Sequence, residues 1–239
     1  MLIPRTFHAI WMGDKMPKEY VAFRQSWLRL HPGWTLREWN EENMPPLVNQ
    51  RAFDEVRTYS EKSDIARVEL LYNYGGVYVD ADFECFKNIE ELIGSSTLWV
   101  GQDEDDRITG SIMGAVAGHG FLEKVMSAIP GSIRDHAAEG PVSTTGPALL
   151  DRIYKSCRAA GDPVPDVMPR ELFFPYRGDE RHRRYEVFPD AYAAHHWGGS
   201  WHTNYDSPKE VVRRALMKRK ATRSLLYAYH DKLKPKIKH

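Results

Sequence analysis

Residues 63–82 constrain the fold of this 239-residue chain more than any other stretch. Apolar side chains recur there at helical spacing, a double glycine at positions 75 and 76 ends the pattern, and a β-branched run then leads into Asp80 and Asp82. This order predicts a helix, a glycine cap and a strand with two acids at its carboxyl end. Ligands of open α/β sheets bind outside the carboxyl ends of the strands. We therefore expect a binding site at these two carboxylates.

The rest of the chain alternates between strand and helix patterns, which predicts an α/β fold. Residues 131–146 show no periodic pattern and are predicted to form a loop. The predicted strands are residues 3–11, 34–39, 77–82, 97–101, 108–116 and 192–197. The predicted helices are residues 18–31, 47–56, 63–74, 121–129 and 147–159.

The composition predicts one main domain, residues 1–207, followed by a basic helical tail, residues 208–239. The formal net charge is zero, but residues 209–239 hold 11 basic and 2 acidic side chains, which leaves 22 basic and 31 acidic residues on the rest of the chain. Two cysteines are too few for a disulfide scaffold. No apolar run approaches the roughly 18 residues that span a membrane. We expect a cytoplasmic protein that the tail can bring to the inner face of the membrane.

Two Asp-x-Asp sequences are candidates for binding a divalent cation, because carboxylate oxygens suit Mg²⁺ and Mn²⁺. Asp80 and Asp82 follow a predicted strand, which would hold them in place. Asp103 and Asp105 lie in an acidic run, residues 103–106, that is equally typical of a solvated loop. A cation at the first pair can hold the phosphates of an activated substrate. The sequence therefore predicts a metal-dependent transferase.

Asp64, Arg67 and Trp11 can extend a site around these acids. Asp64 and Arg67 are three residues apart and share a helix face, where they form either a surface salt bridge or a pair that contacts a ligand. Trp11 ends the first predicted strand and either stacks on a nucleobase or fills the core. Both alternatives remain open from the residues alone.

A second group of polar and aromatic residues occurs late in the chain. His195 or His196 can complete the coordination of a cation through a neutral imidazole, although a pair of histidines also serves purely structural roles. The Ser200 hydroxyl and the Trp201 indole N–H can donate hydrogen bonds to phosphate oxygens.

Four motifs in order resemble glycosyltransferase family 32. This family includes the initiating α-mannosyltransferases of fungal glycan assembly and many bacterial capsule and lipopolysaccharide enzymes, and its core is similar to the sugar-transferring domain of the large glucosylating toxins. The resemblance covers residues 3–202. The motifs are the sequence from Ile3 to Gly13, Ser63-Asp64 with Arg67, Gly75-Gly76-Val77-Tyr78 with Asp80 and Asp82, and the sequence from His195 to Trp201.

The resemblance implies a GT-A fold, with one Rossmann-like domain built on a mixed central sheet and a basic helical extension at the carboxyl terminus. It also implies a nucleotide-sugar donor, either a UDP-sugar or a GDP-sugar, and a Mn²⁺ or Mg²⁺ ion. Transfer would retain the anomeric configuration. The acceptor would be a hydroxyl group of a glycan, a lipid-linked molecule or another compound, as in polysaccharide biosynthesis.

The same resemblance assigns roles to individual residues. Trp11 matches the aromatic residue that stacks on the base, and Asp64 and Arg67 match the pair that contacts the ribose and the donor sugar. The implied donor-binding residues are Ile10, Trp11, Asp64, Arg67, Ala81, Ser200 and Trp201. The implied metal ligands are Asp82, directly, with Asp80 and His196, and His195 is the alternative to His196. The candidate catalytic residues are Asp80, Asp82 and Arg67, together with Asp103, which the acidic run and not the resemblance suggests.

Two reaction courses give retention. In one, the acceptor attacks from the face of the leaving phosphate, which takes up the proton; in the other, an enzyme carboxylate forms a covalent intermediate. Candidates for that nucleophile are Asp103, Asp105 and Asp106. The same-face course is preferred, because nothing in the sequence identifies any residue as the nucleophile. A metal-dependent phosphohydrolase and a non-catalytic carbohydrate-binding relative are the rival interpretations.

The basic tail has two interpretations. Leu225, Leu226 and other apolar residues alternate with basic ones, which is typical of an amphipathic helix on an anionic membrane surface. The same pattern fits a helix docked on the acidic body of the protein. Binding of nucleic acid is not expected, because the basic excess is confined to this end.

Overall fold

Eight strands and seven α-helices follow one another along the residues that the computed structural model describes, which are 2–13, 15–103 and 105–198. The strands are β1 (Thr6–Ile10), β2 (Thr35–Trp39), β3 (Gly76–Val79), β4 (Phe83–Cys85), β5 (Leu98–Gln102), β6 (Ile108–Ala115), β7 (Asp166–Met168) and β8 (Ala193–His195). The helices are α1 (Lys18–Leu30), α2 (Gln50–Glu55), α3 (Tyr59–Tyr74), α4 (Glu90–Ile93), α5 (Gly120–His136), α6 (Pro141–Thr144) and α7 (Pro147–Ala160). Short 3₁₀ helices occupy Ala137–Glu139, Arg170–Leu172 and Gly178–Tyr185. The predicted helical tail and two predicted donor-binding residues, Ser200 and Trp201, lie outside the described residues.

The central sheet has six strands in the order β2-β1-β3-β6-β5-β7. All neighbouring pairs are parallel except the two that involve β6, which runs antiparallel to β3 and β5. The predicted mixed sheet is therefore confirmed. The carboxyl ends of β1, β3 and β5 lie at one edge, together with the amino end of β6. A separate antiparallel pair, β4 and β8, places His195 opposite Phe83.

Apolar side chains alternate between the two faces of this sheet, as the period of a strand requires. Ile10 and Tyr78 pack with α3, α5 and α7 on one face, whereas Phe7 and Val77 pack with α1 and the β4–β8 pair on the other. The result is three layers with a hydrophobic core on each side of the sheet.

The predicted junction between α3 and β3 is confirmed in detail. Gly75 and Gly76 both have positive φ angles, 62° and 104°, a region that side chains rarely adopt. A Cβ atom on Gly76 would also lie 2.5 Å from the carbonyl oxygen of Thr6 on β1. The helix starts earlier than predicted, because Thr58 and Glu61 form a capping box that begins it at Tyr59 instead of Ser63.

The predicted loop over residues 131–146 is wrong. Helix α5 continues through Pro130 to His136, and α6 follows after a 3₁₀ turn. A proline inside a helix removes the hydrogen bond to the carbonyl four residues earlier, here that of Met126. The side-chain amide of Asn49 donates to this carbonyl at 3.1 Å, so a contact from a distant segment satisfies the group that Pro130 leaves unbonded.

The predicted strand over residues 77–82 is also too long. Strand β3 ends at Val79, and the two acids lie in the turn that leads into β4, a strand that the sequence analysis did not identify. Strand β7 and helix α4 were likewise not predicted. The remaining elements lie within a few residues of their predicted bounds, apart from α5.

Among the described residues, no helix combines the length and the apolar composition needed to cross a bilayer.

His8 on β1 makes the stability of the fold sensitive to acid. Its Nε2 lies 2.8 Å from the carbonyl oxygen of Gly75, and its Nδ1 accepts a hydrogen bond from Trp39 Nε1 at 3.0 Å. The ring is fully buried, and burial lowers the pKa of His8 from 6.5 to about 4. The stabilisation is complete above pH 6.5 and is lost progressively as the pH falls from 6.5 to 4, because in this range the unfolded chain binds a proton that the folded chain does not.

We expect His8→Gln to remove most of this acid sensitivity. The pKa difference corresponds to about 3 kcal/mol of unfolding free energy between neutral pH and pH 4. Urea unfolding at several pH values measures it, with His182→Gln in an exposed 3₁₀ segment as the control. An equal pH dependence in wild type and His8→Gln would contradict the assignment.

Candidate active site

The shared edge of the sheet opens into a cleft of about 980 Å³. Strand β1 contributes Ile10 and Trp11, and the residues after β3 contribute Asp80, Ala81 and Asp82. The cleft therefore lies where the carboxyl ends of the strands predicted a binding site. The other predicted site residues that line it are Asp64, Arg67, Asp103 and His195.

Asp80, Asp82 and His195 form the centre of this cleft. One ligand atom from each residue lies within 4.8 Å of the others, which is the arrangement of a group that can share one cation. His195 Nε2 lies 3.1 Å from Asp82 Oδ1. The two carboxylate oxygens suit Mg²⁺ or Mn²⁺, and the imidazole nitrogen is a ligand of transition metals, so the residues present fit a divalent ion, and Mn²⁺ more closely than Mg²⁺.

Residues 195–198 surround Asp82. The backbone N–H of His196 donates to the carbonyl oxygen of Asp82 at 3.0 Å, and that of Gly198 donates to its Oδ2 at 2.7 Å. Trp197 has a φ angle of 51°, an uncommon left-handed conformation for a residue with a side chain. A Cβ atom on Gly198 would collide with the hydroxyl of Tyr20, so a larger residue here would require the Tyr20 side chain to move.

The structure places His195 beside the acids, in contrast to the predicted preference for His196. In the β4–β8 ladder, Phe83 pairs with His195, and successive side chains of a strand face opposite sides. His196 therefore turns away from the acids, and its Nε2 lies 3.0 Å from Glu84 Oε2. The alternative considered from the sequence, His195, is the residue that the geometry favours as the third ligand.

Arg67 links the helix to the acidic turn. Its Nη2 lies 3.1 Å from Asp64 Oδ1 and 3.3 Å from Asp80 Oδ1. Arg67 and Asp64 are 7% and 8% exposed, so the pair is part of the buried wall of the cleft and the alternative of a surface salt bridge is excluded. The guanidinium also lies over the ring of Tyr78, whose hydroxyl donates to Asp80 Oδ1 at 2.7 Å.

Burial and neighbouring charges shift the pKa values of the carboxyl groups of the site in different directions. Burial raises the pKa of Asp64 to about 6 against the lowering effect of Arg67, and burial raises that of Asp80 in the same way. At Asp82 the effect of burial is outweighed by His195 and by the Gly198 N–H, which hold its pKa at about 2. Burial opposes the charged form of His195, but Asp82 raises its pKa above the usual value. Asp82 is therefore the permanently charged member of the group.

Several residues of the site were not identified from the sequence. Thr145 donates to Asp64 Oδ2 at 3.0 Å and thereby orients this carboxylate. Tyr78 and Gly198 hold the two acids as described above. The roles of Thr145 and Gly198 depend on contacts between distant segments, which no spacing along the chain reveals, whereas Tyr78 is only two residues from its partner Asp80.

Asp103 lines the cleft, but its carboxylate is engaged within its own loop. Its Oδ1 accepts the backbone N–H groups of Asp105 and Arg107 at 2.9 and 3.1 Å. Its Oδ2 lies 3.4 Å from Arg107 Nη2. Burial raises the pKa of Asp103 against these contacts. A carboxylate whose charge is already shared by three donors is a weakened nucleophile.

Aromatic side chains line the part of the cleft near β1. Trp11 makes an edge contact with Tyr20, with ring centroids 5.6 Å apart. Tyr59, at the start of α3, also lines the cleft and is 51% exposed. An exposed aromatic side chain and a second aromatic ring at a cleft wall can provide stacking surfaces for a planar base.

Comparisons with known protein families agree with this geometry. Residues 17–99, which include Asp80 and Asp82, match the family described as glycosyltransferase sugar-binding region containing DXD motif. The resemblance to DXD glycosyltransferases that the motifs indicate is thereby confirmed.

Two curated yeast proteins are similar to most of this chain. Inositol phosphoceramide mannosyltransferase 3 of Schizosaccharomyces pombe is 27% identical over 215 residues, which cover 82% of this chain and 60% of the relative. Mannosyl phosphorylinositol ceramide synthase CSH1 of Saccharomyces cerevisiae is 23% identical over 214 residues, which cover 84% of this chain and 54% of the relative. The chain thus spans less than two thirds of these relatives.

Two solved structures share the fold. PaToxG glycosyltransferase superposes with a TM-score of 0.55 and 15% identity, covering 66% of this chain and 70% of that one. The UDP-bound glycosyltransferase domain of the YGT toxin superposes with a TM-score of 0.54 and 9% identity, covering 70% and 80%. The α/β fold of this chain is therefore the GT-A fold, as the resemblance implied.

Proposed function

We propose that this chain, which matches the glycosyltransferase sugar-binding region containing the DXD motif over residues 17–99, transfers a sugar from a nucleoside diphosphate donor to a hydroxyl acceptor. The observation that supports this most directly is that Asp80, Asp82 and His195 cluster at the edge of a GT-A sheet, with one ligand atom of each within 4.8 Å of the others. The aromatic wall at Trp11 lies in the same cleft. The two features suit the diphosphate and the base of one ligand.

Asp82, Asp80 and His195 would hold a Mn²⁺ or Mg²⁺ ion, with Asp82 as the permanently charged ligand. When bound, such an ion offsets the negative charge that develops on a leaving diphosphate. The chain's own residues orient the donor: Trp11 stacks on the base, and Asp64 and Arg67 form hydrogen bonds to the ribose and the sugar. Because the Arg67 guanidinium is held by the buried carboxylate of Asp64 and the half-buried carboxylate of Asp80, its remaining donors are held in place before the substrate arrives.

We further propose that transfer retains the anomeric configuration through attack on the face of the leaving phosphate. The contacts of Asp103 support this course over double displacement, because its carboxylate already accepts two N–H groups and pairs with Arg107. Asp105 is engaged by Arg107 as well, at 2.6 Å. In this course the acceptor hydroxyl gives its proton to the departing phosphate oxygen.

The acceptor is proposed to be a glycan or a lipid-linked molecule. Two similar proteins are named for mannosyl transfer to inositol phosphoceramide or for synthesis of its mannosylated product, which supports a polar headgroup as the acceptor class. Mannose is accordingly the first sugar to test.

A screen of UDP-sugars and GDP-sugars for Mn²⁺-dependent release of the nucleoside diphosphate tests this function. We expect hydrolysis or transfer with one donor, and its loss in EDTA. Release of inorganic phosphate from simple phosphate esters, with no response to any sugar nucleotide, would instead support a phosphohydrolase.

We expect Trp11→Ala to weaken donor binding by about 1–3 kcal/mol, because stacking of a base on an aromatic ring contributes this much. Trp11→Phe should retain most of the affinity, since a smaller aromatic face remains. Calorimetric titration with the donor measures both. Equal affinity of Trp11→Ala and wild type would show that this side chain does not stack on the base.

A further inference from the structure

His196 directly follows the candidate metal ligand His195, yet its ring is buried among other elements. The side chain is 3% exposed and stacks on Phe23 of α1, with ring centroids 4.5 Å apart. Its Nδ1 lies 2.6 Å from the hydroxyl of Tyr176, and its Nε2 lies 3.0 Å from Glu84 Oε2. The ring thus joins helix α1, strand β4 and the segment before Gly178.

For a neutral His196, the direction of the hydrogen bonds follows from the chemistry of its two partners. An ionised carboxylate only accepts, so Nε2 of a neutral His196 carries the proton and donates to Glu84. Nδ1 is then the acceptor and receives the hydroxyl proton of Tyr176. The three side chains form one ordered chain of hydrogen bonds, from Tyr176 through His196 to Glu84.

The backbone of His196 connects this chain of bonds to the site. Its N–H donates to the carbonyl oxygen of Asp82 at 3.0 Å. Nε2 of His195, the preceding residue, lies 3.1 Å from Asp82 Oδ1. The backbone N–H of Gly198, two residues after His196, donates to Asp82 Oδ2. A displacement of His196 would therefore move both groups that hold the Asp82 carboxylate.

We infer that Tyr176, His196 and Glu84 position the pair formed by Asp82 and His195, and that His196 is a positioning residue and not a metal ligand. This inference rests on the proposed metal-dependent function. Partners that orient metal ligands commonly change metal affinity by about 10 to 100-fold when they are removed. Here the effect would be transmitted through the backbone of residues 195–198.

Binding of Mn²⁺ to the full chain, measured by calorimetry without any donor, tests the inference. Tyr176→Phe deletes one hydroxyl and keeps the ring, and Glu84→Gln removes the charged acceptor. We expect both to weaken Mn²⁺ binding by about 10-fold or more, with a melting temperature close to that of wild type. Tyr154→Phe on α7 is the matched control, with unchanged binding. In turnover, the Mn²⁺ concentration for half-activation should rise more than kcat falls.

Three outcomes separate the interpretations. Wild-type Mn²⁺ affinity in Tyr176→Phe and Glu84→Gln would overturn the inference. So would loss of binding in His196→Phe together with retained binding in His195→Phe, because His196 would then be the ligand. Weakened Mn²⁺ binding in the two variants, in a protein that cleaves no sugar nucleotide, would reject the proposed function and still support the positioning role.

Discussion

Asp82→Asn is expected to reduce Mn²⁺-dependent release of nucleoside diphosphate by at least about 10³-fold, which corresponds to about 4 kcal/mol of transition-state stabilisation. Asp82 has the lowest pKa of the site, about 2, so it carries its charge at every assay pH. The asparagine side chain has the same shape as the aspartate side chain but no charge, and it is a poor ligand for a hard cation. The Gly198 N–H can still donate to the amide oxygen, so we expect the fold to persist.

The expected loss of turnover in Asp82→Asn can be distinguished from misfolding of the variant. Asp54→Asn on α2 is exposed and outside the cleft, and we expect it to retain full turnover. Circular dichroism and thermal melting of the two variants report on folding. Turnover of Asp82→Asn that equals wild type, and that EDTA does not affect, would reject a role for this carboxylate in metal-dependent cleavage.

The position of the site was predictable because it depends on local order along the chain. Trp11 and Asp80 follow strands, and parallel strands bring their carboxyl ends to one edge. The choice between His195 and His196 was not predictable in this way. Adjacent residues of a strand face opposite sides, and the side that faces the acids depends on the pairing of Phe83 with His195, which is more than 100 residues distant along the chain.

The differences between the predicted and the observed helices have a similar origin. Pro130 indicates the end of a helix when only its neighbours are considered. The helix continues because Asn49 donates to the carbonyl of Met126, and Asn49 is itself held by the buried carboxylate of Glu69. The early start of α3 is different, since Thr58 and Glu61 have the spacing of a capping box and the sequence contained the signal.

Arg67→Met is expected to lower the free energy of unfolding by about 3–5 kcal/mol at neutral pH, because it leaves the buried carboxylate of Asp64 and the half-buried carboxylate of Asp80 without their cation. Asp64 is 8% exposed and lies 3.1 Å from the guanidinium, and Asp80 lies 3.3 Å from it. Arg67 lowers the pKa of each acid against the effect of burial. Its removal should therefore raise both pKa values further above those in the unfolded chain.

The sign of the pH dependence follows from these shifts and distinguishes a lost ion pair from a packing defect. A carboxyl group whose pKa is raised on folding stabilises the folded state at low pH, and this contribution is lost as the pH rises through the folded pKa. The difference between wild type and Arg67→Met should thus be largest near pH 8 and shrink towards pH 5, as measured by urea unfolding. Arg51→Met, in the exposed pair with Glu55, should change stability far less and without this trend. A difference that stays constant with pH would mean that Arg67 acts through its packing on Tyr78 and not through its charge.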